Sequence, residues 1–430
     1  MHTSRSLAPA TLLAVALLVT AVPVRAQEAE SRAAQLAAEQ EQKARALSQD
    51  RPGFLERKLI EIERAGGFGV GEFGVVPGLF VTSGDIKRGS GPSLGPAYGK
   101  VFTGGSKLQA KAVYSIQAAK LAQVSYHAPP LAGDRLRIRT RARWQDVPEV
   151  AYHGIASVDS AQRDPSLRDQ LIALGLDPDV PRQGAGTTTY AETFTDVSAT
   201  AAFRPVRLLQ LGAGIGVERF ATAIAPPGDS GRAGLFVGAA GVGADPRYVH
   251  GHGSVTIDSR PAEGYTRRGT LLRATVHDYR QQNAGPYSFR RLDGVAEQYV
   301  PILRGNWVLF FGLRASTTAT EAGELVPFFL LPDLGGHDLR GFGNYRFRDR
   351  HSILVTAEYR WYAQEFLDGA IFYDAGKAVA TRGALDFDGL HRSYGAGIRL
   401  HGPRTTVLRL ELARSREGTR LILAFSPVGG

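Results

Sequence analysis

Leu334-Gly335-Gly336-His337-Asp338-Leu339-Arg340-Gly341-Phe342, followed by Tyr345-Arg346-Phe347-Arg348-Asp349, is Gly-rich, charged and unlike a strand. An alternating stretch, Ile353 to Trp361, comes directly after it, and then Phe372-Tyr373-Asp374-Ala375-Gly376. We read Leu339 to Phe342 as the tip of a loop folded back inside a β-barrel. Acidic groups on the barrel's inner wall would hold Arg340 there. Parity puts Glu358 on one strand face with Thr356 and Arg360, and Asp374 with Phe372 and Ala370. Two carboxylates on successive strands thus look inward. Arginine suits such a site because its planar guanidinium binds carboxylates bidentately and stays charged. Gly341 lets the tip turn, and Phe342 can wedge against lumen side chains. The alternative is a solvated loop charge, since arginine beside glycine is common in loops.

The rest of the chain supplies the barrel. From Gly67 the apolar period is two, as in strands. Candidate strands lie at about 70–81, 94–102, 106–116, 119–128, 134–146, 187–203, 206–219, 247–259, 267–280, 286–301, 306–318, 350–362, 367–375, 391–401, 404–415 and 418–426. About sixteen is an even number, as expected of an all-β transmembrane antiparallel barrel. The connections alternate in length, except near 117 and 416, where two outer ones are short. Thr103-Gly104-Gly105, Arg204-Pro205, Arg304-Gly305 and Gly402-Pro403 read as short turns; 147–186, 220–246, 319–349 and 376–390 are long. Short turns on the periplasmic side and long loops outside give that alternation, whereas a sandwich or propeller does not. A helix is expected within the long loop, from Pro165 to Leu174.

Strand parity sorts the faces. Arg135, Arg137, Arg139, Arg141 and Arg143 share one face; Leu136, Ile138, Thr140, Ala142 and Trp144 share the other. Leu408, Leu410 and Leu412 oppose Arg409 and Glu411 in the same way. An Arg or Lys facing lipid at mid-membrane costs about 2–4 kcal/mol. Five arginines therefore belong in the lumen, where they line a wetted wall or a weakly anion-selective path.

The 430 residues include no cysteine, 51 glycines and 43% hydrophobic residues. No apolar run after the N-terminus reaches the roughly 18–20 residues of a membrane helix. Arg5, the apolar stretch Leu7 to Val19 and the small-residue site Val24-Arg25-Ala26 read as a signal peptide over 1–26. Its removal leaves 49 Lys and Arg against 41 Asp and Glu, near +8. No basic recognition helix accompanies that charge, so nucleic acid is not the expected partner. Outer-membrane lipid is, because an anionic membrane surface fits the compartment. Residues 27–66 read as a periplasmic helix and linker, with an Ala/Gln/Glu-rich helix to about Asp50.

Other motifs carry little. Gly104-Gly105-Ser106-Lys107 lacks the order of a phosphate loop and reads as a hairpin turn. Gly251-His252-Gly253-Ser254 is no nucleophile elbow. His250 and His252 share a strand face and could bind metal, but no third ligand is evident, so no metal is expected. No catalytic set emerges, and neither an enzyme nor a cofactor is expected.

The loop and the strands after it resemble the bacterial surface antigen family. That family includes the BamA and TamA assembly factors and the transporters of two-partner secretion. The residues that carry the resemblance are Leu334-Gly335-Gly336, Leu339-Arg340-Gly341-Phe342, Arg346-Phe347-Arg348-Asp349, Glu358-Tyr359-Arg360 and Phe372 to Gly376. Asp258-Ser259-Arg260 with Arg268-Gly269 is also similar to a family segment. The resemblance is specific over about 250–426. It implies a sixteen-stranded barrel over 67–430 with an inward-folded sixth outer loop, and a pairing of Arg340 with Glu358 and Asp374. Gly418, Leu421, Leu423 and Phe425 resemble the C-terminal signal by which such barrels are assembled, although the chain ends on Ser426 to Gly430. Residues 27–66 are too short for a POTRA domain of at least ~50 residues, so a member without POTRA domains is expected.

What this implies is an outer-membrane barrel of a Gram-negative bacterium with a role in membrane biogenesis. It would insert or translocate a protein, with a client protein or a periplasmic partner. The alternative is a passive or weakly anion-selective pore, or a structural barrel acting with a separate periplasmic partner.

Overall fold

Alternating side chains become a membrane wall when one face meets lipid and the other meets a packed or wetted interior. Strand β7 (Leu209–Ile224) shows the rule. Ile215 and Val217 are 61% and 59% exposed on the outer face, while Gly216, Glu218 and Phe220 are buried on the inner face. The structure, a computed structural model, describes residues 78–84, 86–156, 187–224, 239–262, 264–302, 306–364, 366–402 and 406–425.

The remaining strands are β1 (Leu79–Ser83), β2 (Ser93–Val101), β3 (Lys107–Ser115), β4 (Lys120–His127), β5 (Leu136–Tyr152), β6 (Thr188–Val206), β8 (Arg247–Asp258), β9 (Gly269–Gln281), β10 (Phe289–Ile302) and β11 (Trp307–Ala319). They are followed by β14 (His351–Gln364), β15 (Leu367–Val379), β16 (His391–His401), β17 (Thr406–Ser415) and β18 (Gly418–Phe425). All these strands form one sixteen-stranded sheet in sequence order, each antiparallel to the next. Among the described residues only β12 (Asp333–Leu334) and β13 (Phe347–Arg348) stand apart, pairing with each other inside the loop between β11 and β14. The sheet is a transmembrane β-barrel of sixteen strands, as the alternation required.

Every expected strand overlaps an observed one, but several expected ends move. The Arg204-Pro205 turn is instead part of β6, which runs to Val206 with a register shift between Phe203 and Val206. Strand β5 runs past Pro148 to Tyr152, with a shift between Val147 and Val150. Proline lacks the ladder N–H, and in both strands the irregularity absorbs it. Strands β5 and β7 also outrun their expected ends because Val150, Tyr152 and Phe220 pack on the long loop. The signal peptide, the helix and linker over 27–66, the helix Pro165 to Leu174 and the Arg304-Gly305 turn lie outside the described residues.

The core sits inside the barrel. At the end that carries the long connections, Tyr152, Tyr190, Phe220, Tyr248, Phe328 and Phe329 are buried together. Phe328 meets Tyr190 edge-on at 4.8 Å, and Phe329 meets Phe220 at 5.2 Å. At the other end the β8–β9 connection reaches the far wall. Tyr265 Oη donates to Asp368 at 2.9 Å, and Thr406 N donates to Gly264 O at 3.1 Å.

Candidate functional site

The loop between β11 and β14 enters the barrel because its charges and its apolar groups both find partners there. Leu339 and Phe342 are buried with Leu334, Phe347, Leu354 and Ala378. Phe342 meets Phe347 edge-on at 5.1 Å, and His391 stacks on Phe347 at 3.9 Å. Gly341 turns the tip at φ +83°, a conformation that glycine adopts without strain. Ser415 Oγ then donates to Gly341 O at 2.7 Å.

Arg340 lies between those contacts and is 3% exposed. Its Nε and Nη2 donate to the two oxygens of Asp374, each at 2.7 Å. Its Nη1 donates to Glu358 at 2.8 Å and to Glu411 at 3.1 Å. The guanidinium carbon lies 3.5 Å from the centre of the Phe372 ring, a cation–π contact. Burial opposes the Arg340 charge, but its hydrogen bonds to Asp374 and the charges of Glu358, Asp374 and Glu411 outweigh it and hold the group above its ordinary range.

The acidic groups are shared. Arg399 Nη2 donates to both oxygens of Glu358 at 2.9 Å and to Glu411 at 3.2 Å. Arg360 Nε donates to Glu358 at 2.8 Å. Three guanidiniums thus face three carboxylates, and the buried set is close to neutral. A buried ion pair survives only when geometry and extra hydrogen bonds offset desolvation, and here every carboxylate has more than one bond. Arg340, Gly341, Phe342, Glu358 and Asp374, the residues expected from the sequence, lie together in the structure. Glu411, Arg360 and Arg399 are partners that the sequence did not point to. Alternation had already turned Arg360 and Glu411 inward, so the signal was present and was not connected to the loop.

Contacts from around the wall hold the rest of the loop. Arg88, between β1 and β2, pairs with Asp333 and Asp338. Arg314 on β11 donates to Asp338 at 2.7 Å, and Arg346 donates to Glu417 at 2.6 Å. Arg348 is caged by Tyr345, Tyr152 and Phe328 at 5.3 to 5.8 Å. His153, just beyond β5, sits beside this loop; burial first, and the Arg346 charge next, push its imidazole down to about 4.

The arginine stripe is shorter than expected. Arg135 lies in the turn before β5, and Arg135 and Arg137 are exposed. Arg139, Arg141 and Arg143 are half-buried on the inner face of β5, and Arg141 Nη2 donates to Asp196 at 3.0 Å. Gly418, Leu421 and Leu423 lie on β18, where Leu421 is 69% and Leu423 49% exposed on the outer face; Phe425 pairs with Leu408.

The Omp85 superfamily domain matches residues 101–420. The solved structure of BamA from Haemophilus ducreyi lacking POTRA domains 1–3 is similar with a TM-score of 0.56 at 14% identity, over 80% of this chain and 68% of that one. CdiB from Acinetobacter baumannii is similar with a TM-score of 0.45 at 10% identity, over 81% of this chain and 56% of that one. No curated protein matches the chain. At such identity the BamA likeness speaks to the fold, while the family match spans most of the chain, both walls of the Arg340 site included. The chain belongs to the Omp85 superfamily.

Proposed function

We propose that this barrel works in outer-membrane biogenesis, inserting or translocating a polypeptide at the outer membrane of a Gram-negative bacterium. The observation that carries this reading is the buried Arg340, anchored on Asp374, Glu358 and Glu411. It fixes a long loop inside the barrel, so the loop is a built part of the lumen. The superfamily match supports the same reading. The chemistry is mechanical and uses no cofactor. Gly418, Leu421, Leu423 and Phe425 act as the chain's own assembly signal, and a client outer-membrane protein or a periplasmic partner is the expected company. The pore reading has less support, because the loop and the aromatic cluster occupy the lumen.

The test is folding of a second, unrelated outer-membrane barrel into liposomes with and without the purified protein. Acceleration that is lost in Arg340→Ala supports an insertase. No acceleration removes insertion as the activity.

A further inference from the structure

The inner wall of β7 to β11 carries a chain of ionisable groups far in sequence from the Arg340 loop. Glu218 Oε1 lies 2.7 Å from His250 Nδ1. His250 Nε2 lies 3.0 Å from His277 Nδ1. His277 Nε2 lies 3.2 Å from Asp293 Oδ2. Asp293 also accepts from Arg291 Nε at 3.0 Å and from Ser316 Oγ at 2.6 Å. Tyr279 stacks on His250 at 4.1 Å. His252 is directly opposite His277 in the ladder, and its ring is 5.7 Å from His250 and 5.8 Å from His277.

An ionised carboxylate only accepts, so His250 Nδ1 and His277 Nε2 must each carry a hydrogen. A neutral imidazole has one such hydrogen. The two inner nitrogens then present lone pairs to each other at 3.0 Å. That contact is repulsive unless a positive centre lies between them. Glu218 and Asp293 face Arg291, and Arg141, whose charge reaches His252, is paired with Asp196, so the carboxylates outnumber the guanidiniums and the surroundings favour a cation as well.

We propose that His250 and His277, with His252 as third ligand, hold a divalent transition-metal ion such as Zn2+ on the barrel's inner wall. Glu218 and Asp293 orient the two rings from behind. This is the arrangement that metal-ligating histidines use, with the outer nitrogen bonded to a carboxylate that fixes tautomer and ring angle. Imidazole nitrogens suit Zn2+, Ni2+ and Cu2+. Zn–N bonds of about 2.0–2.1 Å in tetrahedral geometry separate two ligand nitrogens by roughly 3.3 Å, so the pair needs to open by only a few tenths of an ångström. As the side chains stand, no three such donors converge among the described residues. His252 leans over Gly214, where a Cβ would lie 2.2 Å from His252 Cε1. Ion binding draws that ring off Gly214 toward the pair, and a water fills the fourth position.

The test uses the full mature chain, without a histidine tag, folded in detergent and stripped with chelator. Zn2+ is titrated by calorimetry at pH 7.5, and Co2+ by absorption. One equivalent should bind, with a tetrahedral Co2+ band. Glu218→Gln should weaken binding about 10- to 100-fold, and His277→Ala should abolish it. Heat-modifiable migration checks that each variant folds. No saturable binding by the wild type overturns the proposal and leaves only a shared proton between the rings. Undiminished binding by folded His277→Ala overturns it too. If that variant does not fold, the near-isosteric Glu218→Gln decides, and unchanged affinity counts against the site.

Discussion

Arg340 and Asp374 meet through two parallel hydrogen bonds of 2.7 Å, one residue at a loop tip and the other on the inner wall of β15. The backbone N–H of Arg340 points at the same carboxylate, 3.3 Å from Oδ2. Asp374 is fully buried, so with Arg340 in place no water competes for its oxygens. A planar fork on a carboxylate fixes direction as well as distance. The loop is therefore held in one orientation.

Arg340→Ala should be strongly destabilising. It leaves Asp374, Glu358 and Glu411 facing only Arg360 and Arg399, and breaking a buried pair by removing one partner costs about 3–5 kcal/mol. Arg340→Lys keeps the charge but loses the fork, and should fall between the wild type and the alanine variant. The measurement is the temperature at which the compact band converts to the unfolded band in detergent gels. An unchanged midpoint for Arg340→Ala would show that the loop is held by its apolar contacts alone.

Gly395 on β16 matters for a different reason. A Cβ there would lie 2.1 Å from Leu412 O and 2.5 Å from Phe372 Cζ. Phe372 is the ring under Arg340, so Gly395→Ala must push β16 from β17 or tip that ring. Overpacking of this kind costs about 1–3 kcal/mol. The variant should lower the same gel midpoint, by less than Arg340→Ala does. An increase would mean that the glycine contributes only chain flexibility.

Much of this was legible in the sequence. A period of two is a local property, and it revealed the strands and sorted the inner from the outer face. The charge cost at the lipid face made that assignment directional for Arg139, Arg141 and Arg143. Across-the-barrel relationships were not legible. Glu411 lies 71 residues after Arg340 and meets it only because the wall curves. His277 meets His250 through the register of β8 and β9, which a single sequence does not fix within one residue. Pro148 and Pro205 read as strand ends because a missing N–H usually ends a ladder, yet a bulge or register slip can absorb it.

Acid should loosen the loop through His153. Burial and Arg346 lower its imidazole to about 4, against 6.5 for the free group. The unfolded chain therefore takes up a proton below about pH 6.5, while the folded chain stays neutral until about 4. Stability is unaffected above pH 6.5 and falls as pH drops through this window, by at most about 3 kcal/mol. His153→Gln should flatten that part of the profile. The check is the denaturant midpoint of both proteins between pH 7.5 and 4. Parallel curves would show that His153 is solvated.

The lumen should conduct poorly until the loop is removed and both ends are opened. Phe328, Tyr152 and Tyr190 are each 1% exposed at the long-loop end, and Tyr265 and Gly264 bridge to Asp368 and Thr406 at the other. In planar bilayers the wild type should therefore show small, infrequent openings. Deleting Gly336 to Asn344 removes Arg340 and Phe342 together, and combined with Phe328→Ala and Tyr265→Ala, which open the two ends, should give a larger and steadier conductance. In that open form the inner-face arginines line the path, so adding Arg139→Glu should move selectivity toward cations. No change in selectivity would mean that ions pass elsewhere. A large, steady conductance by the intact protein would mean that the aromatic cluster does not seal the lumen, and the pore reading would then regain its place.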